Sequence, residues 1–456
     1  MTTAQFKEAF RRGLGSAMIA LRNSDNREAY KEVILWCCLH NTCYDMQFDG
    51  DRSNYLFSAI YLFEDRSYFE NAIIEKYRQK KIDTWLFDQL SGLLYYFAAN
   101  DSEAARDALY QKFEEMIHQL PRIRNEKEAR REGSQLEWLC IWLTMLDGIA
   151  AFKILFDRVS IAFSKSKCRY FIMDWFYINS ENKLGKKRVR AYAEKQAAKS
   201  SAMDDYWEKL QEKINYEGEP INPPTFEEFI RICRESVQQN DHDDKGYYLA
   251  PLNRYARRFA HHAAPEELTA LANMVIAEEN LELKSSLLKV FQSTRFPLGE
   301  NPLFEFLNIE HKQMRETTLK ALELFELDVV HDFAVRLLTE GKDVCSAICL
   351  LCRNFRKEDE TLLFSGLKRL PITSNGDWHE AHTAVLTLFE SNSLKPKTDI
   401  LLFMYRHTLC SFCRYYIVRS LYKTKLLTED ILEECLYDSY DGTQEFAEKI
   451  TTKLSK

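Results

Sequence analysis

The sequence predicts an all-α protein, and three observations carry that expectation. Its 456 residues include only 14 glycines and 10 prolines, about half the usual combined frequency of these turn formers. Apolar residues recur at the 3.6-residue period of amphipathic helices in segment after segment. No segment alternates apolar and polar residues long enough to demand a strand. Long helices joined by short polar links follow, with helical hairpins stacked as an α-solenoid in the C-terminal half and a less regular helical N-terminal half.

The chain is longer than the size at which one hydrophobic core usually stops growing, so more than one domain is expected. A hydrophobic fraction of 46%, with 29 Phe, 23 Tyr and 7 Trp, supplies ample apolar surface. Twelve cysteines are sparse for such a length, and MTTAQFKEAFRR lacks the apolar core of a signal peptide. A reducing, cytoplasmic setting is expected. The most apolar run, Trp138 to Phe156, approaches a membrane span in length. Asp147 and Lys153 interrupt it and Gly148 threatens its continuity, so it reads as a buried helix pair with no membrane role.

Along the chain, only Pro121 precedes position 220, whereas EGEPINPPTFEEF carries Pro220, Pro223 and Pro224. X-Pro steps disfavour helix, which divides the chain into a helical domain at 1–216, a linker at 217–225 and a repeat domain at 226–456. In the N-terminal half, DTWLFDQLSGLLYYFAAN runs into DSEAARDALYQKFEEMIHQL, where Asp101 or Ser102 is a natural N-cap.

In the C-terminal half, LKSSLLKVF, MRETTLKALELF, VCSAICLLCRNF, EAHTAVLTLF and FCRYYIVRSLY each present one apolar stripe. Registered on Lys284, Arg315, Cys345, Ala381 and Cys413, they are 31, 30, 36 and 32 residues apart. A second amphipathic helix fits between each pair, as in DVVHDFAVRLL and TEDILEECLYD. Hairpins recurring at this period cannot bury their apolar faces alone and stack. The pattern resembles HEAT or armadillo-like repeats, mainly over 265–456. In MRETTLKALELFELDVVHDFAVRLL, Arg315 and Asp328 stand near the basic and acidic places of a HEAT unit. The resemblance implies a long surface for a macromolecular partner.

Few residues look like chemistry. In CCLHNTCYDMQFDGDRSNYL (Cys37 to Leu56), adjacent Cys37 and Cys38 point about 100° apart on a helix and have no second pair, which suits buried small apolar residues better than zinc. Downstream, Asp45, Gln47, Asp49 and Arg52, completed by Arg12, form a candidate polar pocket; the competing reading is a helix cap with local ion pairs. CSAICLLC places Cys345, Cys349 and Cys352 at the C-x3-C-x2-C spacing that resembles the cluster loop of radical S-adenosylmethionine enzymes. Here, however, the spacer continues a repeat helix, and the cysteines read as its buried stripe. No metal, cofactor or catalytic residue is assigned. RRGLGSA can bare backbone N–H groups to a phosphate, or its glycines permit a close helix contact. NDHDDKGYY reads as a solvated loop.

The basic signal is local. Between Lys165 and Lys199, seven lysines and three arginines face three acids, so this segment is +7 and the rest of the chain sums to -14 within a net charge of -7. Lys186, Lys187, Arg188 and Arg190, together with Arg254, Arg257 and Arg258 of NRYARRFAHH, are candidates for holding phosphates or a partner. A solvated helix surface is the alternative. The resulting expectation is a non-enzymatic binding or scaffold protein with a protein partner. A nucleic-acid-binding or nucleic-acid-processing protein using the basic helices comes second, and an enzyme with a polar site at Asp45–Arg52 third.

Overall fold

The computed structural model describes residues 1–44, 52–166, 172–215, 222–240, 249–370, 375–392 and 398–454. Every regular element among them is a helix, as the scarcity of turn formers and the apolar periodicity predict. By internal packing the chain forms two compact units, Met1–Gly218 with Leu409–Arg419 and Leu427–Lys456, and Glu219–Thr408 with Ser420–Leu426. A linear division of the sequence did not foresee that C-terminal segments belong with the N-terminal ones.

The first unit contains α1 (Thr3–Arg11), α2 (Gly15–Arg22), α3 (Lys31–Leu39), α4 (Ser53–Ile60), α5 (Ser67–Tyr77), α6 (Thr84–Ala99), α7 (Glu103–Gln119) and α8 (Glu126–Lys165). It continues with α9 (Asp174–Leu184), α10 (Lys186–Ala197) and α11 (Ser201–Ile214). Of the two cap residues offered by sequence, Ser102 serves: its side chain accepts from the Ala105 N–H, while Asp101 takes a left-handed φ of 69°. α8 is the pillar on which α6, α7, α9, α10 and α11 pack. It is broken at Gly148 (φ 62°, ψ -138°), where expected.

Among the described residues α8 is the one helix long and apolar enough to cross a membrane, yet 56% of its apolar window is buried inside the protein. Leu139, Cys140 and Leu143 before the break, and Phe152, Leu155, Phe156 and Val159 after it, are in the core. The charge that interrupts the run is accounted for as well. Asp147 pairs with Arg106 and accepts a 2.7 Å hydrogen bond from the Tyr110 hydroxyl. α6 lies close against α4 and α8 because residue 92 is glycine: a Cβ there would stand 2.3 Å from Ser53 Oγ and 2.9 Å from Trp142 Cζ2. Nearby, Trp142 Nε1 donates to Asp88 at 2.8 Å, giving both buried polar groups a partner.

The second unit contains α12 (Phe226–Asn240), α13 (Leu249–His262), α14 (Pro265–Ala277), α15 (Leu281–Leu288), α16 (Asn301–Phe306), α17 (Lys312–Leu322) and α18 (Asp328–Glu340). α19 (Val344–Leu351), α20 (Glu360–Leu367), α21 (Asn375–Ser391) and α22 (Thr398–His407) complete it. α15 packs on α17, α17 on α19 and α19 on α21, while α18 packs on α19 and α20. Four of the five stripes registered in the sequence therefore touch in order. The fifth, on α23 (Ser411–Lys423), lies largely in the first unit, with α24 (Glu429–Cys435) and α25 (Asp441–Leu454).

Polar links recur between helices of the second unit. Glu282 meets His311, 29 residues on, and Arg315 meets Asp343, 28 residues on. Asp328 meets Arg356 and His331 meets Asp359, again 28 residues on. Arg315 and Asp328 thus each pair with a residue 28 positions further on rather than with one another. Asn354 Nδ2 donates to the Phe325 and Leu350 carbonyls, both at 2.9 Å. Asn392 repeats the device toward Cys352 and Leu388 at 3.0 and 2.8 Å. These amides satisfy helix-end carbonyls that have no intrahelical donor.

Candidate functional site

The candidate site is a cleft of the second unit, and its walls follow from the order of packing. Because α17, α19 and α21 lie side by side, the residues that point away from their shared core line one recess of about 1030 Å³. Lys320 and Glu323 come from α17 and the link after it, Cys345, Cys349 and Cys352 from α19 and its end, and His379, Glu380, Thr383 and Thr387 from α21. Lys320 also borders a second recess of about 550 Å³ with Glu282, Lys289, His311 and Glu316.

Burial sets the chemistry of these walls. The Glu323 carboxyl is half-buried, makes no hydrogen bond or ion pair among the described residues, and is pushed up to about 7 by burial, with Lys320 opposing. Burial, assisted by the Glu323 charge, raises the Cys352 thiol to about 12 and Cys349 further still. Both remain protonated at neutral pH, which removes the thiolate a nucleophile or metal ligand requires. Lys289 is lowered by burial and by Lys320, and donates to Asn253 Oδ1 at 2.9 Å. The walls therefore offer neutral thiols, hydroxyls and a few charges of both signs, a set suited to recognition.

The cysteines correct one expectation. Read as the buried stripe of their helix, Cys345, Cys349 and Cys352 are instead half-exposed along the cleft, and Val344, Ala347, Ile348, Leu350 and Leu351 form the stripe. Both stripes fit helical spacing, and the apolar one wins because aliphatic side chains gain more from burial than thiols do. Cys37 and Cys38 are fully buried at the end of α3, as expected.

The basic candidates fall into two sets in different units. On α10, Lys186, Lys187, Arg188 and Arg190 are all exposed; Arg190 pairs with Glu194 at 3.0 Å, while the other three make no ion pair among the described residues. On α13, Arg254 and Arg257 are exposed and Arg258 is half-buried, on the face opposite Leu252, Ala256 and Phe259.

Of the candidate polar pocket, Asp45, Gln47 and Asp49 lie outside the described residues, as do most of the linker and the NDHDDKGYY loop. Arg12 follows α1, and Arg52 reaches the same turn between α1 and α2. Arg52 is 1% exposed and its guanidinium donates to the carbonyls of Arg11 and Leu409. Burial, with Arg414 and Arg11 nearby, lowers the Arg12 guanidinium.

Sequence reasoning missed the residues that organise this turn. Arg414 and Asp438 are 0% exposed and joined at 2.6 and 3.1 Å. Arg414 Nη2 also donates to the carbonyls of Arg12 at 3.0 Å and Gly13 at 3.2 Å, and the Ser439 N–H donates to the Gly13 carbonyl at 2.9 Å. The glycines of RRGLGSA make room for this contact. Gly13 has φ +69°, and a Cβ on Gly15 would stand 1.7 Å from the Glu434 carbonyl oxygen. An arginine inside the apolar stripe of FCRYYIVRSLY was the available signal, since a charge there needs a buried partner.

Compared with family models, curated proteins and solved structures, the chain matches none.

Proposed function

We propose that the chain is a non-enzymatic binding or scaffold protein of the cytoplasm whose second unit is an α-solenoid of HEAT-like hairpins holding a protein partner. The observation that carries this reading is the cleft across α17, α19 and α21. Three successively packed helices turn hydroxyls, protonated thiols and an unpaired carboxyl toward solvent in one recess. Stacked hairpins use such continuous surfaces for binding. The inter-hairpin links at 28 to 29 residues support the repeat reading.

A second reading, nucleic-acid binding or processing, is favoured by the unpaired exposed cations of α10. An enzyme at Asp45–Arg52 comes third. The test is affinity purification of the tagged chain with measurement of both protein and nucleic acid retained. Glu380→Lys with Thr387→Arg, both at exposed cleft positions, is expected to release the protein partner while leaving stability unchanged. Retention of nucleic acid that is lost only when Lys186, Lys187, Arg188 and Arg190 become glutamine would reverse the order of the two readings.

A further inference from the structure

A separate recess in the first unit carries an inference independent of the cleft above. It lies between the first half of α8 and α9, has a volume of about 300 Å³, and is lined by Ile141, Thr144 and Met145 on one side and Asn179, Ser180, Asn182 and Lys183 on the other. The two helices run side by side in the same direction. Glu137 of α8 accepts the N–H groups of Trp175 and Phe176 at the start of α9, at 2.8 and 3.2 Å, and Met145 and Lys183, eight residues further along each helix, both line the recess.

Helical spacing extends both walls. Trp138, Ile141 and Met145 stand at i, i+3 and i+7, and Trp175, Asn179 and Asn182 at i, i+4 and i+7, so each tryptophan continues its wall at one end of the recess. Trp138, Met145 and Trp175 are 41%, 38% and 60% exposed, an unusual concentration of large apolar side chains in solvent. At the opposite end stands Lys183 of the lining; beyond Gly185, whose φ of 95° breaks the helix, Lys186, Lys187 and Arg188 open α10 and are exposed. None of these four cations is ion-paired among the described residues.

The floor supplies a second observation. Thr144 is 3% exposed and lines the recess, yet its hydroxyl has no hydrogen-bond partner among the described residues. A buried hydroxyl left unpaired costs more than a solvated one, and a ligand's polar group entering the recess would satisfy it.

We propose that this recess docks an amphipathic segment of a partner protein. Its apolar side chains would lie against Trp138, Met145 and Trp175, its carboxylates over Lys183, Lys186, Lys187 and Arg188, and one polar group would meet Thr144. An apolar anchor followed by acidic residues matches the helix-in-groove mode of peptide recognition. The concave shape and apolar wall disfavour a nucleic-acid backbone, which has no use for Met145. The polar floor of Thr144, Asn179 and Ser180 disfavours a lipid surface, which would bury no such recess.

The experiment pans a random 12-residue peptide library displayed on phage against the full chain and measures the enriched peptides, synthesised with a fluorescent label, by polarisation. Peptides with two or more large apolar residues and a surplus of Asp and Glu are expected. Trp175→Ala, at an exposed anchor, should weaken them by about 30-fold, the loss typical of an interface hot spot. Thr144→Val should weaken them by about 3- to 10-fold, one hydrogen bond, while leaving the melting temperature equal or higher because it removes an unpaired buried hydroxyl. Lys183, Lys186, Lys187 and Arg188 changed together to glutamine should remove the salt dependence. The proposal is overturned if enriched peptides are basic, or if Trp175→Ala and Met145→Glu leave their affinity unchanged. Tight binding of a single-stranded oligonucleotide or of phosphatidylserine vesicles, abolished by the four-glutamine variant and indifferent to Thr144→Val, would overturn it as well.

Discussion

Replacing Arg414 by leucine tests the link between the two ends of the chain within the first unit. The substitution leaves the Asp438 carboxylate without its cation at a position 0% exposed. It also removes donors from the carbonyls of Arg12 and Gly13. Breaking a buried ion pair by removing one partner costs about 3 to 5 kcal/mol. The lower end applies here, because Arg414 and Arg12 repel one another and that repulsion goes with it. A loss of about 3 kcal/mol in the local opening free energy equals a rise of about 10²-fold in hydrogen exchange. Two units make whole-chain unfolding a poor two-state process. The assay is therefore hydrogen exchange read by mass spectrometry on peptides from α24 and α25, with peptides from α17 to α19 as the internal reference. Arg414→Leu should speed exchange in α24 and α25 and leave the reference unchanged, and Arg414→Leu combined with Asp438→Leu should recover only part of the loss, since the apolar pair removes the unpaired charge but returns no donor to the Arg12 carbonyl. Unchanged exchange in the single variant would refute the assignment of this pair as the tie between the termini.

Gly15→Ala should act on the same contact, costing about 1 to 3 kcal/mol because the Glu434 carbonyl lies 1.7 Å from the added carbon; Gly148→Ala, with nothing within 4 Å, should cost only the strain of a backbone at φ 62° and ψ -138°, about 1 to 3 kcal/mol. His382 is 3% exposed and held neutral by burial at about 3. Above the unfolded value of about 6.5 it therefore adds no pH dependence, and below it stability is lost as the unfolded chain takes up a proton the fold refuses, by about 2 kcal/mol at pH 5. His382→Leu should flatten that slope in hydrogen exchange of α21 peptides measured between pH 5 and 6.5, after correction for the intrinsic exchange rate. Changing Lys186, Lys187, Arg188 and Arg190 to glutamine should shift stability by less than about 0.5 kcal/mol, and the unmodified chain should bind nucleic acid no tighter than about 10⁻⁴ to 10⁻⁶ M at physiological salt. Metal analysis of protein purified without oxygen should find no stoichiometric zinc or iron; one ion per chain, lost on Cys349→Ser, would overturn the reading of α19 as a recognition surface.

Features set within one or two helical turns were legible in the amino-acid sequence. The helices follow from apolar periodicity, a cap at Asp101 or Ser102 from a polar pair ahead of an acidic first turn, and the Gly148 break from the one residue that adopts φ 62° without a Cβ penalty. Cys37 and Cys38 are buried as expected of small apolar residues, although their neighbour Trp36 in the same run is exposed. The stripes on α15, α17, α19 and α21 were visible because each is a property of one helix.

What the sequence alone left undecided depends on which helix faces which. Arg12 meets Arg414 across 402 positions, and no local pattern carries information at that range. Only the packing of α2 on α24 turns two glycines of RRGLGSA into a docking surface rather than a phosphate loop. In VCSAICLLC two stripes share one periodicity, so the sequence could establish the helix but not its rotation; the neighbouring α17 and α21 settled it by burying the aliphatic face and leaving the thiols in the cleft. Secondary structure answers to forces between residues a few positions apart, whereas the sites of this chain are assembled by long-range burial, where the competition among apolar faces is decided only when the whole core closes.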